Sequence, residues 1–263
     1  MNTLAVLRHT AIGGMQDFKT MYTWRTWTAG WLLRVIAQVI FYSLMGRLVG
    51  SDERLHYLVV GNSVMLCATT VIFVVQSTTW ERASGTIPLL IAAPVSPLVV
   101  LFGRSAQWIP DAVLSSLAAF AVAVPLFDVP LPLPRAVFVV PLLLLVTLTT
   151  YLMGTFFGSL VLRYASARNL VSNVVGATMM ALCGVNVPLS FFPDGVQAVA
   201  RCLPLTHGLE GVRGVLAGAP AGQVLGDAAV EAVVGLGWFA VAAASFRWFA
   251  EGGRKDGSIE FAA

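Results

Sequence analysis

Residues 136–162 run for 27 positions without a charged side chain, and residues 57–79 run for another 23. About 20 apolar residues in a helix cross the hydrocarbon core of a bilayer. In lipid, such a run has to satisfy its backbone hydrogen bonds within itself, so it reads as a helix. These two runs decide the class: an all-α membrane protein. Composition agrees where the argument needs it. Charged residues make up 11% of the chain, against roughly 25% in a soluble domain, while 57% are apolar and the mean hydropathy is +0.82. That balance excludes a cytosolic enzyme, a disordered chain and a secreted disulfide scaffold. At about 20 residues per crossing plus loops, 263 residues hold around six spans and no separate soluble domain.

The spans are predicted at 29–49, 57–79, 98–127, 136–162, 169–192 and 224–249. Before them, Leu4, Leu7 and Ala11, then Phe18, Met21 and Tyr22, recur at helical spacing, and Trp24, Trp27 and Trp31 follow. Residues 1–28 therefore read as a cytoplasmic interfacial helix with aromatics at headgroup depth. Arg8, Asp17, Lys19 and Arg25 in this stretch do not fit a secretory signal, so the first span is expected to act as its own insertion signal. Residues 29–249 form one six-span transmembrane domain, and 250–263 a cytoplasmic tail. Arg34 sits five or six residues into the first span, either snorkelling to the interface or facing a substrate. Gly85 breaks the helix after the second span, Thr86 can cap a new one, and Pro88 is tolerated in its first turn. The result is a short helix at about 81–95. Residues 128–134, with three prolines, make a stiff extended loop. Gly154 and Gly158 give the fourth span a small face for close helix contact.

Residues 193–223 differ from the rest. Pro193, Pro204 and Pro220 and six glycines break them into two short half-apolar segments, about 195–203 and 206–217. Neither is long enough to cross. Irregular backbone at membrane depth has to be buried in protein or face a cavity, so the expectation is a re-entrant outer hairpin of two short helices. With both termini in the cytoplasm, ten of the 16 Lys and Arg residues fall inside and five outside, which favours that orientation. It also puts 81–95 in the cytoplasm and 193–223 outside.

The chemistry of a soluble catalyst is missing from the sequence. No phosphate-binding G-x-x-x-x-G-K-[ST] loop occurs, nor HExxH or G-x-S-x-G. Cys67, Cys183 and Cys202 are scattered and read as small buried apolar residues rather than a disulfide or zinc set. A net charge of +3 with no dense basic face argues against nucleic acid. His207 and Glu210 lie at i, i+3, where they make either a polar contact at the outer interface or the beginning of an acid–base or metal pair. Two groups alone are a poor metal site. Asp111 follows Pro110 and belongs either to a helix first turn and its partner or to a substrate or proton path. Glu231 lies early in the last span, and a place at the outer interface explains it equally well.

The segment Glu81-Arg82-Ala83-Ser84-Gly85-Thr86-Ile87-Pro88-Leu89-Leu90-Ile91-Ala92-Ala93-Pro94-Val95-Ser96 resembles the coupling-helix segment of the ABC type-2 exporter permeases, with Pro88 where that family often has Glu. Pro188, Phe192 and Pro193, then Leu203-Pro204-Leu205-Thr206 and Arg213, resemble its outer re-entrant segment before the last span. The resemblance implies the membrane subunit of an exporter in the bacterial inner membrane, moving a drug, natural product or lipid-linked molecule. It implies a second permease, identical or related, and two separate ATP-binding ABC subunits carrying ATP and Mg. No cofactor, metal or catalytic residue is then expected in this chain. Glu81, Arg82, Gly85, Thr86, Leu89 and Leu90 would form the joint with the ATPase. The pathway would run between protomers along the first, second and fifth spans, with Asn62, Ser63, Asp111, Asn173 and Asn186 as polar candidates. Pro193, Pro204, His207, Glu210 and Arg213 would belong to the re-entrant segment. The competing expectation is a secondary transporter or channel without an ATPase.

Overall fold

The computed structural model describes residues 3–48, 50–77, 97–130, 132–161 and 165–256, and they are helical with no strand among them. The expected joint at 81–95 lies outside the described residues, so Glu81, Arg82, Gly85, Thr86, Leu89 and Leu90 do too.

Helix α1 (Thr3–Met21) is followed by a two-residue break. The chain restarts at Thr23, whose hydroxyl accepts from the Thr26 amide while the Thr26 hydroxyl accepts from the Thr23 amide. That reciprocal cap starts α2 (Trp24–Thr26) and explains why the interfacial stretch is not one helix. A π-helical turn (Trp27–Leu32) leads into α3 (Leu33–Leu48). After Gly50, at positive φ, Ser51 caps α4 (Asp52–Val71). Further on come α5 (Pro97–Ser105), α6 (Trp108–Leu126), the single turn α7 (Leu133–Ala136), α8 (Val139–Val161) and α9 (Arg168–Leu182). The short helices α10 (Asp194–Arg201) and α11 (Thr206–Ala217) precede the long α12 (Ala221–Asp256).

Four helical stretches are long and apolar enough to cross a membrane: Asp52–Ser77, Val99–Leu126, Pro134–Val161 and Ala221–Trp248. They match the expected second, third, fourth and last spans. The other two expected spans differ. In 29–49 the π turn Trp27–Leu32 runs directly into α3, whose apolar part among the described residues is Ile36–Leu48. In 169–192 the helix stops at Leu182, since Gly184 adopts φ +75° and Pro188 follows. The third stretch is also not one straight helix: it turns at 106–107, where Pro110 sits in the first turn of α6, a position that needs no amide donor.

Helix α4 is the core. Of its apolar window 83% is inside, against 22% for α12, which lines the outside. Val64, Met65 and Val71 of α4 meet Trp108 of α6, Leu143 and Met153 of α8, Met179 of α9 and Leu205 and Leu209 of α11. Helices α8 and α12 run parallel: Thr149 meets Glu231 and Gly235, and ten residues on Ser159 meets Ser245. One end of the bundle, here the Trp108 end, carries α1 docked on α5. There Phe18 stands edge-on to Trp108 at 5.9 Å, Phe73 stacks on the same indole at 5.3 Å, and Asp17 pairs with Arg104 at 2.8 Å. The opposite, Tyr57 end carries the start of α4, the turn after α9, and the pair α10–α11.

Candidate functional site

The site is built where Pro204 interrupts the chain between α10 and α11. A helix end leaves carbonyls without intrahelical partners, and a turn adds more. Here four of them are met by side-chain donors. The Thr206 hydroxyl donates to the Ala200 carbonyl (2.6 Å) and the Trp238 indole N–H to that of Cys202 (3.0 Å). The Cys183 thiol donates to Pro204 (3.6 Å), and His207 Nε2 lies 3.1 Å from the Arg201 carbonyl, which requires the proton on Nε2. His207 is thereby occupied as a cap for α10, with Nδ1 3.8 Å from the Glu210 carboxylate. Partial burial pushes the Glu210 carboxyl up, and His207 opposes it.

The start of α11 is held by a residue 23 or more positions away. Leu205 stands at the N-cap with φ +81°, a conformation costing a non-glycine residue about 1–3 kcal/mol. It has no side-chain acceptor to offer the first turn. Glu231 of α12, fully buried, supplies one: Oε1 accepts from the Leu205 amide (2.9 Å) and Oε2 from the Gly208 amide (3.0 Å). Thr149 of α8 donates its hydroxyl to Oε1 at 2.5 Å. A carboxylate at a helix N-terminus meets the positive end of the helix dipole. Gly208 is needed for the approach, because a Cβ there would collide with Val146. Glu231 therefore fixes α11 against α8 and α12 together. It lies ten residues into α12, about 15 Å along the axis at 1.5 Å per residue, so the turn between α10 and α11 reaches well down the long helix.

The far side of α11 meets α4 through Arg213. Its Cζ lies 3.5 Å from the centroid of the Tyr57 ring, a close cation–π contact. One nitrogen, Nη2, donates to the carbonyls of Tyr57 and Val185, both at 3.3 Å. Among the described residues, no carboxylate makes an ion pair with it, and its buried Nε has no partner. Burial pushes the guanidinium down to about 10, opposed by Tyr57, which leaves it charged at neutral pH. Gly61 makes the closeness feasible, since a Cβ there would strike the Val185 carbonyl oxygen. Beside this contact the Tyr57 hydroxyl donates to the Gly184 carbonyl (2.6 Å) and the Asn62 amide to the Asn186 Oδ1 (2.9 Å), while Asn62 Oδ1 is buried without a partner.

Of the polar candidates along the chain, the fold brings Asn62 and Asn186 into direct contact and places Arg213 beside the same seam. Ser63 is buried next to Asn62, its carbonyl accepting from the Ser116 hydroxyl at 2.7 Å. Asp111 lies at the opposite end of the bundle, buried in the first turn of α6 and accepting the Trp27 indole N–H at 2.6 Å. Asn173 is exposed on α9. Pro193 precedes α10, and Pro204 lies buried in the turn. No cluster of three or more potential metal ligands occurs among the described residues. Sequence reasoning missed Glu231 as the cap of α11, and with it Thr149, Leu205, Gly208, Tyr57 and Gly61. The available signal was an acid inside a span-length run, one helical turn after Asp227.

The helices define the class, an integral membrane protein built from apolar α-helices. Residues 14–217 match the family model of the ABC-2 type transporter, from α1 through the last residue of α11, and the chain belongs to that family. It is a transport component rather than an enzyme, and the family implies an ATP-binding ABC partner. No curated protein matches it.

Proposed function

We propose that this chain is the membrane subunit of an ATP-driven exporter that moves a hydrophobic or amphipathic molecule outward. The observation that carries the reading is the family match through residues 14–217, combined with a sequence that has no P-loop of its own. ATP and Mg then belong to two separate ATP-binding subunits, and a second permease, identical or related, completes the membrane part. The joint with the ATPase is residues 81–95, with Glu81, Arg82, Gly85, Thr86, Leu89 and Leu90 transmitting its closure as a rigid push. Both termini lie in the cytoplasm of a bacterial inner membrane, with α1 at the membrane surface. The helical stretch from α2 to α3 and the segment from α9 to Phe192 complete six crossings.

In this orientation the Tyr57 end is the outer end, and α10–α11 is a re-entrant hairpin. The side-chain donors to the carbonyls of residues 200, 201, 202 and 204 support that reading. Backbone inside a membrane must be satisfied by protein where water cannot reach it. Asn62, Ser63 and Asn186 then lie at the outer end of the protomer and Asp111 at its inner end, behind the passage wall, while exposed Asn173 faces the partner protomer. The apolar walls suit a drug, a natural product or a lipid-linked molecule.

The test is purification of the tagged chain from its native membranes in mild detergent, with mass identification of what accompanies it. A P-loop ATPase in fixed ratio is the expected result. The chain alone, with flux that needs no ATP and collapses with an uncoupler, overturns the reading in favour of a secondary transporter. Within an assembled complex, Gly85→Pro or Glu81→Ala with Arg82→Ala is expected to abolish coupled transport. Intact coupling would remove the assignment of the joint.

A further inference from the structure

Near its end α6 contains Pro125, which has no amide to offer the Ala121 carbonyl and whose ring stands where that bond would run. Ala121, Pro125 and, before α8, Ala136 have short side chains, so the two helices leave a gap instead of a packed seam. The gap is a groove of about 320 Å³, and every side chain lining it is apolar. Phe120 and Val139 form its buried floor, Leu216 at the end of α11 closes one side, and exposed Ala121, Pro125 and Val140 stand at its mouth. Both walls belong to stretches long and apolar enough to cross a membrane, so the mouth opens onto lipid. From Leu117 to Pro125 the groove follows α6 for about 12 Å at 1.5 Å per residue. The hydrocarbon of one leaflet is about 15 Å deep, half of the core. A cation stands at the rim. Exposed Arg135 precedes Ala136, and its Nη1 lies 3.0 Å from where a Cβ on Gly218 would be, two residues beyond Leu216. Among the described residues its guanidinium makes no hydrogen bond or ion pair, so its N–H donors are free.

We propose that this groove seats one acyl chain of an anionic phospholipid, with the lipid phosphate on Arg135. A guanidinium with free donors matches a phosphate in shape and charge. A zwitterionic headgroup brings a second cation to a place where no described carboxylate is paired with the first. The groove lies on the third and fourth expected spans, away from the first, second and fifth that are proposed to line the passage, so its occupant is a resident lipid and not the cargo. The bound lipid joins α6, the start of α8 and the end of α11 across the gap beside Pro125. That it comes from the outer leaflet rests on the orientation proposed above; the site itself does not.

The full chain, purified in detergent, is titrated with dioleoyl phosphatidylglycerol and separately with dioleoyl phosphatidylcholine, and bound lipids are counted by native mass spectrometry. The expected result is one phosphatidylglycerol per chain, retained where phosphatidylcholine is lost. Arg135→Gln is expected to weaken that binding about tenfold, the loss of one charge-assisted contact. Ala121→Trp fills the groove from an exposed position and is expected to abolish the tight site. Val140→Trp does the same from α8 and serves if the first variant does not accumulate. Arg54→Gln, an exposed cation outside the groove, is expected to leave binding unchanged. Equal retention of both lipids, unaffected by Arg135→Gln, overturns the recognition of phosphate. Unchanged retention in both tryptophan variants places the lipid elsewhere and overturns the site. A lipid-free pair of chains that Ala121→Trp separates also overturns it, because a second copy then fills the groove. The titration needs neither an ATPase nor a cargo, so its failure leaves the co-purification test untouched, and the lipid site and the exporter reading fall separately.

Discussion

Glu231→Gln is the sharpest perturbation of the fold. Gln keeps the shape of Glu, so no cavity confuses the reading. Both Glu231 oxygens accept a backbone amide. An amide side chain has only one acceptor oxygen, so its NH2 must face either the Leu205 or the Gly208 N–H. One charge-assisted bond is lost, and a buried donor is left without an acceptor. Together these come to about 2–4 kcal/mol. Thr149→Val removes a single donor to the same carboxylate and is expected to cost about 1 kcal/mol. An apolar replacement such as Leu is a poorer probe, because it also relieves the cost of burying a charge. The assay is denaturant unfolding of the purified chain in detergent micelles, followed by tryptophan fluorescence, with hydrogen exchange at Leu205 and Gly208. Exchange at those two amides should accelerate more than at Val212 or Val215. If Glu231→Gln unfolds within about 0.5 kcal/mol of the parent and both amides exchange as before, the cap contributes nothing and the reasoning fails.

Gly61→Ala drives a methyl into the Val185 carbonyl, so it should destabilise by about 1–3 kcal/mol, read in the same unfolding series. Asp17→Asn removes an ion pair whose side chains are 56% and 37% exposed, so it should change stability by less than about 1 kcal/mol and only at low salt. A larger, salt-independent effect would mean that α1 is held by this pair. Phe18→Ala, which empties the edge contact on Trp108, should exceed it in the same titration. Asn173→Ala, on the exposed face of α9, should leave the unfolding of the isolated chain unchanged; a loss there would place Asn173 inside the protomer rather than on its surface.

Long apolar runs were legible because crossing a bilayer is a matter of length, and 57–79 and 136–162 carry that signal on their own. The two short segments after Pro193 were legible for the same reason: prolines and glycines limit helix length locally, and α10 falls within two residues of its expected bounds while α11 falls on them. The ends that were misjudged depend on single backbone conformations. Leu182 ends α9 because Gly184 turns to positive φ, yet the apolar residues run on to Phe192. The break at 106–107 carries no glycine or proline of its own. The site was less legible still. Glu231 reads as an interfacial acid until Leu205 and Gly208, 26 and 23 residues earlier, are seen to point their amides at it. Arg213 likewise finds Tyr57 across 156 positions, a pairing without a local pattern. His207 drew notice as half of a chemical pair, whereas its ring caps α10.

A helix whose cap is supplied by a later helix also fixes an order of events during synthesis. As α11 leaves the ribosome, the amides of Leu205 and Gly208 have no acceptor, because Glu231 is not yet made. The first turn of α11 cannot be capped until α12 has been made and its carboxylate has met them. A nascent chain arrested before Ala221 should therefore leave residues 206–217 open to protease, and one released after α12 should not. The last span is thus more than the final crossing: its arrival lets the preceding thirty residues take their place.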